Sequence, residues 1–218
     1  MDAKNASMSK CSTQRESTIV DAIALASDLM AMNLCHRLCC SSERYFKAVE
    51  DGLLPWVLGD VDLGDNVLEI GPGYGANIRV LIDKAPHYTA VEIDPPMAER
   101  LKDKYGDRAR IIQGDGTNTG LAAQEFSSVV CFTMLHHVPT PALQDQLFAE
   151  AFRVLWPGGT FAGSDSAAST LFSILHFRDT CNPVSPDTLP DRLRAAGFDD
   201  VDVEHKGRRL RWRAVKAA

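Results

Sequence analysis

Val67-Leu68-Glu69-Ile70-Gly71-Pro72-Gly73-Tyr74-Gly75-Ala76 is the stretch whose reading decides the fold. The aliphatic run predicts a strand, the three glycines at alternate positions predict a tight turn, and Ala76 opens a helical pattern that extends over 76–84. A ligand held by such a turn lies against backbone at the carboxyl edge of a sheet. The spacing Gly71-x-Gly73-x-x-Ala76, with Glu92 about twenty residues on, also fits a dinucleotide fingerprint, so the glycines alone leave the ligand open. Glu69 narrows the choice. A carboxylate two residues before the first glycine repels a pyrophosphate and attracts a ligand that carries an ammonium and a sulfonium.

The alternation continues downstream. Strands are expected over 88–93, 109–112, 128–133 and 160–163, with helices over 95–105 and 141–155, the second stopped by Pro157-Gly158-Gly159. Strands separated by helices imply a parallel sheet covered on both faces. The chain then changes character: a helix over 187–196, Gly197 as its stop, and two strands over 201–205 and 209–215 joined at Lys206-Gly207. Upstream, residues 1–17 are polar enough to be read as a mobile tail. Ile19, Ile23, Ala26, Met30 and Leu34 fall on one helical face, and a second helix over 42–54 ends at Pro55-Trp56, which makes 18–60 a helical cap on a domain over 61–218.

Composition bounds the function. The 218 residues suit one domain plus a small cap, and 45% hydrophobic content without an apolar run of about eighteen residues describes a globular chain without a membrane span. With 23 basic and 29 acidic residues the net charge is −6, so there is no global cationic field of the kind nucleic-acid binders use. The six cysteines follow no secretory pattern, and a reducing, cytoplasmic compartment is expected. Cys35-His36-x-x-Cys39-Cys40 has no complementary pair at zinc spacing, so no metal is expected and the thiols are read as small hydrophobes.

Two further acidic residues end strands beside the glycine turn: Glu92, suited to a ribose diol, and Asp115 in Gln113-Gly114-Asp115-Gly116, suited to an adenine amino group. At this point the chain resembles the class I S-adenosylmethionine-dependent methyltransferases, over about 61–218, through LEIGPGYG, AVEIDPPM, QGDG, FTMLHHVP, RVLWPGG and LRAAGF. The resemblance implies a Rossmann-like α/β fold with a seven-stranded sheet whose last strand is antiparallel, and S-adenosylmethionine as cofactor. It places Glu69 and Gly71, Gly73 and Gly75 near the methionine part, Glu92 on the ribose and Asp115 on the adenine, with Ile93, Met97, Gly116 and Thr133 lining the pocket.

Motif I and AVEID also resemble the rRNA adenine dimethyltransferases. Those enzymes carry an Asn/Asp-Pro-Pro-Tyr-like or Asn-Leu-Pro-Tyr tetrapeptide after the fourth strand, where this chain has Thr133-Met134-Leu135-His136-His137. The Leu-His-His form resembles the small-molecule branch, which implies transfer of a methyl group to a small-molecule acceptor. His137, one residue further into the loop, is favoured over His136 as a general base; the alternative for both is a purely structural role. Asp165 is a further pocket candidate, and 166–186, with Phe172, Leu175, His176, Phe177, Asp179 and Cys181, is long enough to wall the acceptor. Two other readings stay open: a cofactor-binding enzyme that does not methylate, such as a cyclase exploiting the sulfonium charge, and a nucleic-acid binder using the basic terminal strand. In that strand Arg209, Arg211 and Arg213 alternate with Leu210, Trp212 and Ala214, the pattern of one buried and one solvated face.

Overall fold

A computed structural model describes residues 34–59, 61–168 and 180–218. The expected tail, the apolar positions 19–30 and the segment with Phe172, Leu175, His176, Phe177 and Asp179 lie outside the described residues. Seven strands, β1 (Asn66–Ile70), β2 (His87–Glu92), β3 (Arg110–Gln113), β4 (Phe126–Phe132), β5 (Leu155–Ser166), β6 (Asp200–Lys206) and β7 (Arg209–Val215), form one sheet in the order β3-β2-β1-β4-β5-β7-β6. The first five pair in parallel, and β7 runs antiparallel to both β5 and β6. The strand order reverses between β1 and β4, and ligands of open α/β sheets bind at that switch point.

Adjacent residues of the central strands bury on opposite faces. Leu68, Ile70, Val129, Cys131 and Phe161 share one core with Phe148, Leu193 and Trp212, whereas Val67, Ala90, Val130, Phe132 and Ala162 share the other with Phe46, Val57, Leu81 and Leu101. This two-sided burial explains the unbroken apolar runs of the sequence.

Helix α1 (Leu34–Cys40) leads into α2 (Glu43–Ala48) and α3 (Leu54–Leu58), which cover the second face and are joined by a π-helical turn at Val49–Leu53. Pro55 does not end the helix as expected. It falls in the first turn of α3, where a missing N–H costs nothing, and the helical path runs on to Gly59. The helix expected over 76–84 is only the single turn α4 (Ile78–Leu81). Helix α5 (Pro95–Tyr105) matches its prediction, capped by Asp94, whose Oδ1 accepts from Met97 N at 2.8 Å. Helices α6 (Pro141–Val154) and α7 (Leu189–Ala195) cover the first face. β5 begins five residues before the predicted strand, since Pro157-Gly158-Gly159 forms an irregularity within it, between the pairs Phe126↔Leu155 and Ser128↔Thr160. The β6–β7 turn sits one residue later than read, on Gly207 and Arg208.

The arginine face of β7 is not simply solvated. Arg211 donates to Trp56 O at 2.8 Å, and Arg213 donates to Val57 O at 3.0 Å and Leu58 O at 2.7 Å. These cations sit on the orphan carbonyls at the end of α3, where the helix dipole favours positive charge.

Candidate functional site

The glycine turn leaves β1 at the switch point with Gly71, Gly73 and Gly75 all at positive φ. Their surroundings differ. A Cβ at Gly75 would meet Leu101 at 2.9 Å and one at Gly71 would meet Met134 at 2.8 Å, whereas one at Gly73 would meet nothing within 4 Å. Gly75 and Gly71 therefore serve packing, and Gly73 leaves backbone open to an approaching ligand. Gly71 N donates to Val91 O at 2.9 Å, which ties the turn to β2.

Glu92 ends β2 almost fully buried. Its Oε2 accepts from Gly73 N at 2.9 Å and its Oε1 from Asp94 N at 3.0 Å. Burial raises its pKa, against the opposing pull of those backbone donors. Each oxygen keeps a lone pair for a further donor. Asp115 follows β3 in an Asx turn, its Oδ1 accepting from Thr117 N at 2.8 Å and Thr117 Oγ1 at 2.9 Å. A Cβ on Gly116 would fall 2.4 Å from Ile70 Cγ2, so that position admits only glycine without movement. Ile93 is half-buried beside them, and Met97 packs under the edge in the second core.

None of the surface of Glu69 is exposed. Its Oε2 accepts from the Tyr88 hydroxyl at 2.7 Å and its Oε1 from Asn77 Nδ2 at 2.8 Å. Burial pushes its pKa up to about 7, against the pull of these two hydrogen bonds, and the charge of Glu92 adds to the rise. Its two partners come from β2 and from the second residue beyond Gly75.

Thr133, directly after β4, has φ +50°, a conformation rare for a β-branched residue and worth ~1–3 kcal/mol of strain. Its N–H donates to Ser164 O at 2.7 Å, and its hydroxyl shares a hydrogen bond of 3.2 Å with the Tyr45 hydroxyl of α2. Burial pushes the Tyr45 phenol up to about 12, so it stays protonated. Sequence reasoning missed Tyr45 because its partner lies 88 residues away.

Leu135–His137 is a 3-10 turn with both histidines buried and their rings 4.1 Å apart. The geometry favours His136, where the sequence favoured His137. Asp165 at the end of β5 accepts from His136 Nδ1 at 2.6 Å through Oδ1 and from His136 N at 3.0 Å through Oδ2, and Ser166 N also donates to Oδ1. A carboxylate that accepts from two backbone amides is served by an Nδ1–H imidazole, which leaves Nε2 as the basic nitrogen. The turn is pinned from outside by Gln144, whose Nε2 donates to Leu135 O and Asn182 O, and by Asn182 N, which donates to His136 O at 2.7 Å.

Among the described residues no group of three His, Cys, Asp or Glu side chains is placed to hold a metal ion, and no helix is long and apolar enough to cross a membrane. A groove of about 470 Å³ opens at the opposite edge of β1–β3, but Arg108 and Arg110 there are already paired with Asp83 and Glu125, and neither the glycine turn nor Glu92, Asp115 or the histidines line it.

A family model described as a methyltransferase domain matches residues 68–163. Over 69 residues, 31% of this chain, the sequence is 39% identical to ribosomal RNA small subunit methyltransferase A of Cupriavidus metallidurans, a stretch that spans only 25% of that protein. It is 29% identical over 145 residues to an uncharacterized methyltransferase of Geobacillus thermodenitrificans, covering 66% of this chain and 61% of the relative. A Thermotoga maritima structure described as an S-adenosylmethionine-dependent methyltransferase, possible histamine N-methyltransferase, superposes with a TM-score of 0.65 at 20% identity, over 83% of this chain and 97% of that one, a likeness of fold. The five parallel strands with an antiparallel end, the open backbone at Gly73 and the acidic strand ends are compatible with that match, and residues 68–163 of the chain are a methyltransferase domain.

Proposed function

We propose that the protein transfers a methyl group from S-adenosylmethionine to a small-molecule acceptor. When bound, the cofactor supplies a methyl group made electrophilic by its sulfonium. Gly73 would receive it against backbone, Glu92 would accept from the ribose hydroxyls and Asp115 from the adenine amino group, with Ile93, Met97, Gly116 and Thr133 around it. Thr133, His136 and Asp165 meet where β4 and β5 leave the sheet, and there His136 Nε2 would take the acceptor's proton while Asp165 fixes the ring. The acceptor side is closed by α2 through Tyr45. Alignment and exclusion of water do the rest of the work.

The observation that carries the small-molecule reading is the buried turn at Leu135–His137. It has neither the proline nor the tyrosine of the tetrapeptide in the rRNA enzymes that the chain partly resembles, and both of its histidine rings are buried. The commitment of Arg211 and Arg213 to the end of α3 likewise argues against a nucleic-acid surface on β7. Incubation with methyl-labelled cofactor and a metabolite extract tests it: one low-mass compound should gain the label. Label appearing only in added RNA would overturn the acceptor assignment, and cofactor bound without consumption would favour the cyclase-like alternative.

A further inference from the structure

Helix α2 reaches the turn after β4 through one polar contact. Tyr45 is partly buried, its ring packed against the second core, where a phenylalanine would fit as well. Among the described residues its hydroxyl makes a single hydrogen bond, the 3.2 Å contact with Thr133 Oγ1. The helix has other anchors: Phe46 and Val49 are buried in the same core, and Glu43 and Glu50 pair with Arg79 of α4. Ser42, the N-cap of α2, accepts from Tyr45 N at 3.2 Å and so fixes the backbone from which the ring projects. What the hydroxyl adds therefore lies at its far end. Thr133 is a β-branched residue at φ +50°, a strained conformation that needs outside contacts to persist. Its N–H on Ser164 O at 2.7 Å and its hydroxyl on Tyr45 are those contacts.

Just beyond Thr133, His136 meets Asp165 through both its backbone N–H and its Nδ1. Gln144 and Asn182 grip this turn by the carbonyls of Leu135 and His136, downstream of Thr133, so the direction in which the chain enters it is set at Thr133. We propose that Tyr45 is a positioning residue: its hydroxyl holds Thr133 in the left-handed conformation and thereby sets the ring of His136 on Asp165. The inference rests on the reading of His136 as the group that takes the acceptor's proton. It makes the N-terminal cap part of the catalytic apparatus and not only a cover over it. Because the phenol stays protonated, the bond persists throughout the pH range in which an imidazole works. A glycine at position 133 would take φ +50° without strain, and the need for the Tyr45 hydroxyl should vanish in its presence.

Proton and nitrogen NMR of the full chain with isotope-labelled histidine tests this without any acceptor, and His136→Gln assigns the signal. A charge-assisted bond of 2.6 Å from His136 Nδ1 to Asp165 gives a far-downfield proton resonance. Tyr45→Phe should shift it upfield. Thr133→Val removes the same hydrogen bond from its other end and should do likewise, which keeps the question decidable should Tyr45→Phe fail to fold. The decisive comparison uses a Thr133→Gly background: whatever that substitution does alone, adding Tyr45→Phe to it should leave the resonance in place. A resonance unmoved by Tyr45→Phe in the wild-type background, or moved equally in both, would overturn the proposal. With the metabolite that labelling identifies, Tyr45→Phe should lower kcat about tenfold, the effect of one lost hydrogen bond, and leave KM as it is. A raised KM with kcat unchanged would make Tyr45 an acceptor contact and overturn the positioning role. Unaltered transfer of label by His136→Gln would instead refute the proton-taking reading on which the inference rests.

Discussion

Replacing Glu69 by Gln in the ligand-free protein gives a stability change whose size and sign both follow from the structure. The side chain has no exposed surface, and burial raises its pKa from 4.5 to about 7. In the unfolded chain it titrates at its ordinary value. A raised carboxyl pKa means that the folded state holds the proton over the interval in which the unfolded state has lost it. The slope of unfolding free energy with pH is therefore negative there. At ~1.4 kcal/mol per tenfold change in proton affinity, the total is ~3 kcal/mol. This stability is fully present below the unfolded pKa and is lost as pH rises through the folded value; above it, the wild type bears the whole cost of a buried carboxylate. Glutamine has no such cost. Urea unfolding of both chains at intervals from about pH 5 to about pH 8 should show the wild type losing most of that ~3 kcal/mol relative to Glu69→Gln, with the curves flattening above the folded pKa. Parallel profiles would show that Glu69 is not perturbed. A wild type that gained stability with rising pH relative to the variant would mean that a hidden cation holds the carboxylate ionised.

Glu92→Ala should weaken S-adenosylhomocysteine binding by ~1–3 kcal/mol in calorimetry, as when ligand hydroxyls lose a charged acceptor; unchanged affinity would remove Glu92 from the site. His136→Gln should lower the maximal rate ~10²–10⁴-fold with cofactor affinity near wild type, Asp165→Asn should move in the same direction, and His137→Gln should do less. Lower thermal stability with unchanged turnover per folded molecule would instead assign His136 a structural role. Gly163→Ala should destabilise the fold by at least ~1–3 kcal/mol in urea unfolding, because its Cβ would fall 2.2 Å from Cys131 O and 2.3 Å from the Trp212 ring.

Order and kind of the sheet elements were legible because they rest on local signals. The cap at Asp94, the prolines opening α5 and α6, and the turn glycines act within a few residues of where they stand. What was not legible depends on partners distant in sequence. Glu69 follows the strand's two-residue alternation and so faces the same side as Val67, but nothing local announces that Tyr88 and Asn77 wait there to take both its oxygens. The arginines of β7 show an alternating pattern that is right about the buried face and incomplete about the other, since their acceptors belong to a helix about 155 residues earlier in the chain.

The same distinction explains why one histidine could not be chosen from sequence. Residues 136 and 137 are neighbours of one kind in one turn, and position along the loop does not separate them. What separates them is β5. Its parallel pairing with β4 sets Ser164 beside Phe132, so the Ser164 carbonyl can take the N–H of Thr133 and Asp165 comes within reach of the next turn. The 3-10 winding then presents both the backbone N–H and the ring Nδ1 of His136 to that carboxylate. A straight continuation of β4 would carry the histidines away from β5. The left-handed turn at Thr133 prevents this, and its strain is held by the Ser164 carbonyl on one side and the Tyr45 hydroxyl on the other. Strain of this kind persists only where the surroundings over-determine it. Here three separate elements, α2, β5 and the 3-10 turn, fix the few residues that set the candidate base at the edge of the sheet.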